Sequence, residues 1–77
     1  MTFAVVQRTW DPETVPGKDR AGILRVETVG IFTSWEQAEA AAKACAANYQ
    51  AHSHNQKGGY WWSRDEKFRY TFAVEAG

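Results

Sequence analysis

Between residues 38 and 47 the chain reads AEAAAKACAA, with seven alanines in ten positions. Alanine has the highest helix propensity of any residue, and the segment has its own start signal. Ser34 is followed three residues later by Gln37, the S-x-x-Q spacing of a capping box, with Thr33 and Glu36 as the alternative frame. A helix of about residues 34–51 is predicted, fading near His52. Trp35, Ala38, Ala42, Cys45 and Tyr49 recur at spacings of 3, 4, 3 and 4 and so share one stripe. Glu36, Glu39 and Lys43 take the opposite side, and Glu39 and Lys43 form a favourable i, i+4 pair. A buried face this slim suits close packing on a sheet.

The rest of the chain supplies the strands. TFAVVQRTW, residues 2–10, is rich in β-branched and aromatic residues and ends at Asp11-Pro12, a strand meeting a turn. ILRVETVGIF, residues 23–32, sets Arg25 and Glu27 on one face and Leu24, Val26 and Thr28 on the other. Its alternation slips at Val29-Gly30-Ile31, where a β-bulge or a close backbone approach is expected. Tyr60, Trp61 and Trp62 begin a third strand. FRYTFAVEA, residues 68–76, is the cleanest half-buried strand, with Phe68, Tyr70, Phe72 and Val74 alternating with polar or small neighbours. SRDEK between these last two runs is read as a hairpin turn, with one long bent strand from Tyr60 as the alternative, and HSHNQKGG, residues 52–59, as a loop. The predicted fold is α+β in the order β-β-α-β-β, an antiparallel sheet with one helix on one face, as a single domain over residues 1–77. DPETVPGKDRAG, residues 11–22, holds both prolines and five charged residues and is predicted to be a long mobile loop.

A 77-residue domain buries only about 60% of the surface of its unfolded chain, so its core margin is thin. Four Trp, three Tyr and four Phe can supply that margin or an interface. Nine basic and nine acidic residues cancel, which disfavours whole-domain attraction to nucleic acid or an anionic membrane. No apolar run approaches the ~18 residues of a membrane span, and no basic, apolar leader pattern opens the chain. With one cysteine no internal disulfide can form. A soluble, cytoplasmic protein is expected.

Candidate chemistry is sparse. His52 and His54 form an H-x-H pair that lacks further ligands, so no metal is expected. Cys45 lies on the buried stripe and reads as a small hydrophobe rather than a nucleophile. Ser53 beside two histidines is not held as a dyad, Asp65-Glu66 reads as a solvated turn, and Gly58-Gly59 precedes a strand rather than a phosphate-binding helix. No catalytic residue and no cofactor are expected.

The aromatic run is different. Consecutive strand residues face opposite sides, so one of Trp61 and Trp62 belongs to the core and the other faces away. A non-enzymatic module is expected, acting through Tyr60, Trp61, Trp62 and Trp10 on a protein partner or on a second copy in a homodimer. The alternative is single-stranded nucleic-acid binding through residues 60–70, with Arg64, Lys67 and Arg69 on the phosphates. It is disfavoured because Arg69 points away from the face that Phe68, Tyr70 and Phe72 share.

GIFTSWEQAEAAAKA, residues 30–44, resembles the strand-to-helix corner of small β-β-α-β domains, including the RNA/DNA hybrid-binding domain found ahead of some ribonucleases H. Gly30-Ile31-Phe32, Ser34-Trp35 and the alanine-rich helix start carry the resemblance, which implies the same corner here. That domain is basic and has a short first hairpin. This chain is neutral, has a long charged loop and adds an aromatic hairpin, so the nucleic-acid function is not carried over. As a whole it looks like a small bacterial or phage-type domain.

Overall fold

The computed structural model describes residues 1–14 and 20–76. Among the described residues, five strands and one helix run in the order β1 (Phe3–Trp10), β2 (Ile23–Phe32), α1 (Trp35–Ala46), β3 (Ala51–Asn55), β4 (Tyr60–Arg64) and β5 (Arg69–Ala76), with a short 3-10 turn at Arg20–Gly22 before β2. All strands join one sheet of order β2-β1-β5-β4-β3, and every pairing is antiparallel. The fold is α+β. Among the described residues no helix is long and apolar enough to cross a membrane.

The helix begins where the cap signal placed it. Ser34 is in an extended conformation and its Oγ accepts the Gln37 amide at 3.2 Å. The Gln37 side chain accepts from the Thr33 hydroxyl at 3.4 Å, and Ser34 rather than Thr33 is the N-cap. Ala38, Ala42 and Ala46, one turn apart, are fully buried and let the helix lie close on the sheet. Val5, Tyr70 and Phe72 meet them from below, with Phe3, Phe32, Trp61, Phe68 and Val74 around the edge.

Three expectations change. The helix ends at Ala46, not near residue 51: the amides of Asn48 and Tyr49 bond the carbonyls of Cys45 and Ala46, turning the chain away. Tyr49 therefore stacks on Tyr70 from beyond the helix, with ring centroids 4.7 Å apart. Trp35 occupies the first helical position and is 51% exposed rather than packed. Finally, residues 51–55 are a fifth strand, not a loop. Without it the outer edge of β4 would lack backbone partners, and the register Ala51↔Arg64 to Asn55↔Tyr60 supplies them. Asn55 then closes the turn: its Oδ1 accepts the Gly58 amide and its carbonyl accepts that of Gly59, which has φ +68°.

The bulge expected near Val29 is present, since the register with β1 shifts between Val5↔Gly30 and Val6↔Thr28. A Cβ on Gly30 would sit 3.0 Å from the Phe32 ring. The predicted hairpin is likewise formed by β4 and β5. Its turn rests on Asp65, whose Oδ1 accepts the Lys67 and Phe68 amides and whose Oδ2 accepts the Tyr70 hydroxyl at 2.7 Å. The predicted 11–22 loop includes residues 15–19, which lie outside the described residues. Its described ends meet where the Asp11 amide bonds the Gly22 carbonyl at 2.8 Å.

Candidate functional site

The sheet has two faces, and the tryptophan pair distinguishes them. Trp61 lies opposite Phe72 in the register, and its Nε1 donates to Glu39 Oε1 on the helix at 2.7 Å. His54, opposite Trp61 on β3, tilts against its ring with centroids 4.5 Å apart, and the Lys43 ammonium stands 5.8 Å from that ring. Trp61 is therefore on the helix side. Trp62, the next strand residue, faces the other way.

The face opposite α1 can be assembled from the register, because directly paired residues share a side. One row runs Val26, Arg8, Thr71, Trp62, Ser53, and the next runs Thr28, Val6, Ala73, Tyr60, Asn55. Arg69 and Arg64 lie beyond Trp10 on a third. Ile31, Ala4 and Glu75 form a fourth. No described element crosses this face as α1 crosses the other, and Val26 and Ile31 are 57% and 67% exposed on it.

Polar contacts hold this surface in shape. Trp10 Nε1 donates to Thr71 Oγ1 at 2.9 Å, and the ring is only 4% exposed. Arg8 pairs with Glu75 at 2.8 Å. Asn55 Nδ2 donates to the Tyr60 hydroxyl at 3.0 Å, and the Arg69 guanidinium donates to the Thr14 carbonyl at 3.4 Å. Trp62 and Tyr60 are half-buried and Arg64 is exposed. Of the residues singled out from the sequence, Tyr60, Trp62, Arg64 and Arg69 thus share the uncovered face. Trp10 belongs to the same face but is buried in it, and Trp61 is engaged by the helix.

Rings and cations, expected on opposite faces of β5, come together through its neighbours. Arg69 does point away from Tyr70 and Phe72, but in doing so it joins Tyr60, Trp62, Arg8 and Arg64. Rings and guanidinium groups therefore do meet on one surface. Half of that was legible, since residues 60, 62 and 64 share parity in any regular strand; the contribution of Arg8 required the sheet order.

The remaining candidates stand apart from this face. Burial raises the pKa of the half-buried Cys45 thiol, which works against a thiolate. His52 and His54 lie on the helix side of β3; a His52 ring nitrogen bonds the Tyr49 carbonyl at 2.8 Å, and His54 is 3.8 Å from Glu39. Among the described residues no group of three or more His, Cys, Asp or Glu side chains converges as a metal site. A shallow depression beside the β4–β5 turn is lined by Asn48, Tyr49, Ala51, Arg64, Asp65 and Glu66. The Asp65 carboxylate there is held below its ordinary pKa by the Phe68 amide, the Tyr70 hydroxyl and the Lys67 amide, so its oxygens are already committed to the turn.

No protein-family model, curated protein or solved structure matches the chain.

Proposed function

We propose that the chain is a non-enzymatic protein-interaction module of the cytoplasm whose working surface is the sheet face opposite α1, centred on Trp62. The observation that carries this reading is the combination of an outward, half-buried Trp62 with Val26 and Ile31 more than half exposed on the same face. Val26 and Ile31 on β2 and Trp62 on β4 place apolar groups across the breadth of this face, and a tryptophan held between flanking strands is a low-entropy anchor for a protein contact. The strand residues of this face include three arginines, Arg8, Arg64 and Arg69, against one glutamate, Glu75, an excess of two positive charges. The partner fitted to it is a protein with a flat apolar centre and acidic groups at its rim.

The same arginines beside Trp62 and Tyr60 favour a second reading, in which bases of a single strand stack on the rings and phosphates meet the cations. Val26 and Ile31 weigh against it, since aliphatic side chains give neither stacking nor charge. Arg8 and Arg69 are also already bonded, to Glu75 and Thr14.

A photo-crosslinking residue at position 53, exposed and directly opposite Trp62 on this face, tests the proposal in extract of the source cells. The expected product is an adduct to one acidic-surfaced protein, suppressed by excess wild-type chain and not by the Trp62→Ala chain. Equal suppression by both chains overturns Trp62 as the centre of the surface, and the absence of any adduct that wild-type chain suppresses overturns the protein reading. So does quenching of tryptophan emission by a single-stranded oligonucleotide at low salt, which would instead establish the nucleic-acid reading.

A further inference from the structure

The sheet order leaves β2 as an edge with β1 as its one neighbour, so one side of its backbone has no strand against it among the described residues. Edge strands are ordinarily blunted by lysine, proline or brevity. β2 runs for ten residues, ILRVETVGIF, with neither residue. Register shifts occur near each end, at the Thr9/Trp10 and Val5/Val6 steps of β1, and between them Arg25, Val26, Glu27 and Thr28 are in unbroken register with Thr9, Arg8, Gln7 and Val6. The regular stretch is thus the one fitted to accept another strand.

We infer that the occupant is a second copy of this chain, paired antiparallel along β2 about a two-fold axis through Val26. Two identical antiparallel strands in one sheet are related by a two-fold axis normal to it, so directly opposed residues are spaced evenly about a central residue. Centring on Arg25 opposes two arginines, and centring on Glu27 opposes two glutamates; like charges directly opposite destabilise a pair. Centring on Val26 opposes Arg25 of each copy to Glu27 of the other, twice, with Val26 against Val26. Leu24 and Val26 are more than half exposed in the single chain. Arg25 and Glu27 lie on one side of the strand and pair with each other at 3.2 Å, with side chains 70% and 42% exposed, so each can exchange that partner for its counterpart across the axis.

The pairing also enlarges the face proposed above. An axis normal to the sheet keeps both helices on one side and both uncovered faces on the other, making one continuous surface of twice five strands. Edge and face share Val26, but Trp62 on β4 lies three strands from the β2 edge, so either reading can fail alone.

Sedimentation velocity across a concentration series provides the test, with circular dichroism to confirm folding of each chain. Wild type is expected to dimerise. Arg25→Glu and Glu27→Arg each replace two attractive pairs by two repulsive ones and should raise the dimer dissociation constant by about tenfold or more. An equimolar mixture of the two single variants should regain a one-to-one dimer, and so should the double variant Arg25→Glu/Glu27→Arg alone. Trp62→Ala should leave the dimer intact. A wild type that stays monomeric at its highest soluble concentration overturns the inference. Single reversals that leave the dimer unchanged, or a mixture that fails to recover it, do the same while leaving the Trp62 reading standing.

Discussion

Replacing Ala42 by leucine changes almost nothing about the intrinsic helicity of α1, because the two residues stand close together in helix propensity. It should nonetheless be costly. Ala42 has no exposed surface and sits in the middle of the line Ala38, Ala42, Ala46 by which the helix rests on Val5, Tyr70 and Phe72. A longer side chain there must lift the helix or force those residues off their rotamers, at about 1 to 3 kcal/mol. For a chain of 77 residues total stability is roughly 4 to 12 kcal/mol. A domain this size loses about 4 to 8 °C in Tm per kcal/mol, so Ala42→Leu should melt on the order of 5 to 20 °C below wild type by circular dichroism. Ala40→Leu is the control, since Ala40 is exposed on the same helix; it should fall within about 0.5 kcal/mol of wild type. Equal melting of the two variants would refute the close seating of the helix, and with it the assignment of the opposite face as the uncovered one.

Further predictions concern single sites. Gly59 has φ +68° and a Cβ added there would meet nothing within 4 Å, so Gly59→Ala should cost about 1 kcal/mol in urea unfolding through backbone strain alone. Ser63 is 1% exposed and its Oγ lacks a hydrogen-bond partner among the described residues; Ser63→Ala should be neutral or stabilising by up to ~1 kcal/mol, and clear destabilisation would reveal a hidden partner. Asp65 has its folded pKa held below 3.8 by bonds from the Phe68 amide, the Tyr70 hydroxyl and the Lys67 amide. Its contribution is therefore fully present above that value and is lost as pH falls through the folded pKa. The stability gap between wild type and Asp65→Ala should accordingly be constant near neutrality and shrink in acid.

Much of the fold was legible because local chemistry and tertiary demand agree. The Ser34 cap, the alanine line, the alternation from Phe68 to Val74 and the slip at Val29 each mean the same thing alone as in the folded chain. β3 was illegible for the opposite reason. Ala51-His52-Ser53-His54-Asn55 has neither alternation nor β-branched residues, and its conformation is imposed by the outer backbone of β4. The helix end was misjudged because Tyr49 continues the apolar spacing, yet reaches Tyr70 from beyond the last helical turn. Strand parity could divide Trp61 from Trp62, but only the Glu39 contact assigns Trp61 to the helix side. The gathering of Arg8, Arg64 and Arg69 around Trp62 depends on β5 lying between β1 and β4, a long-range order that no local pattern encodes.

The comparison of Trp61→Ala with Trp62→Ala, each followed by urea unfolding and by competition in the position-53 crosslinking assay, bears most directly on which face the protein uses. Trp61→Ala removes a ring packed on the helix side and its bond to Glu39, and should cost about 2 to 3 kcal/mol while the folded fraction still competes. Trp62→Ala should cost about 1 kcal/mol or less and abolish competition. The reverse order, with Trp62→Ala the more destabilised chain and the better competitor, would contradict the assignment of the working face.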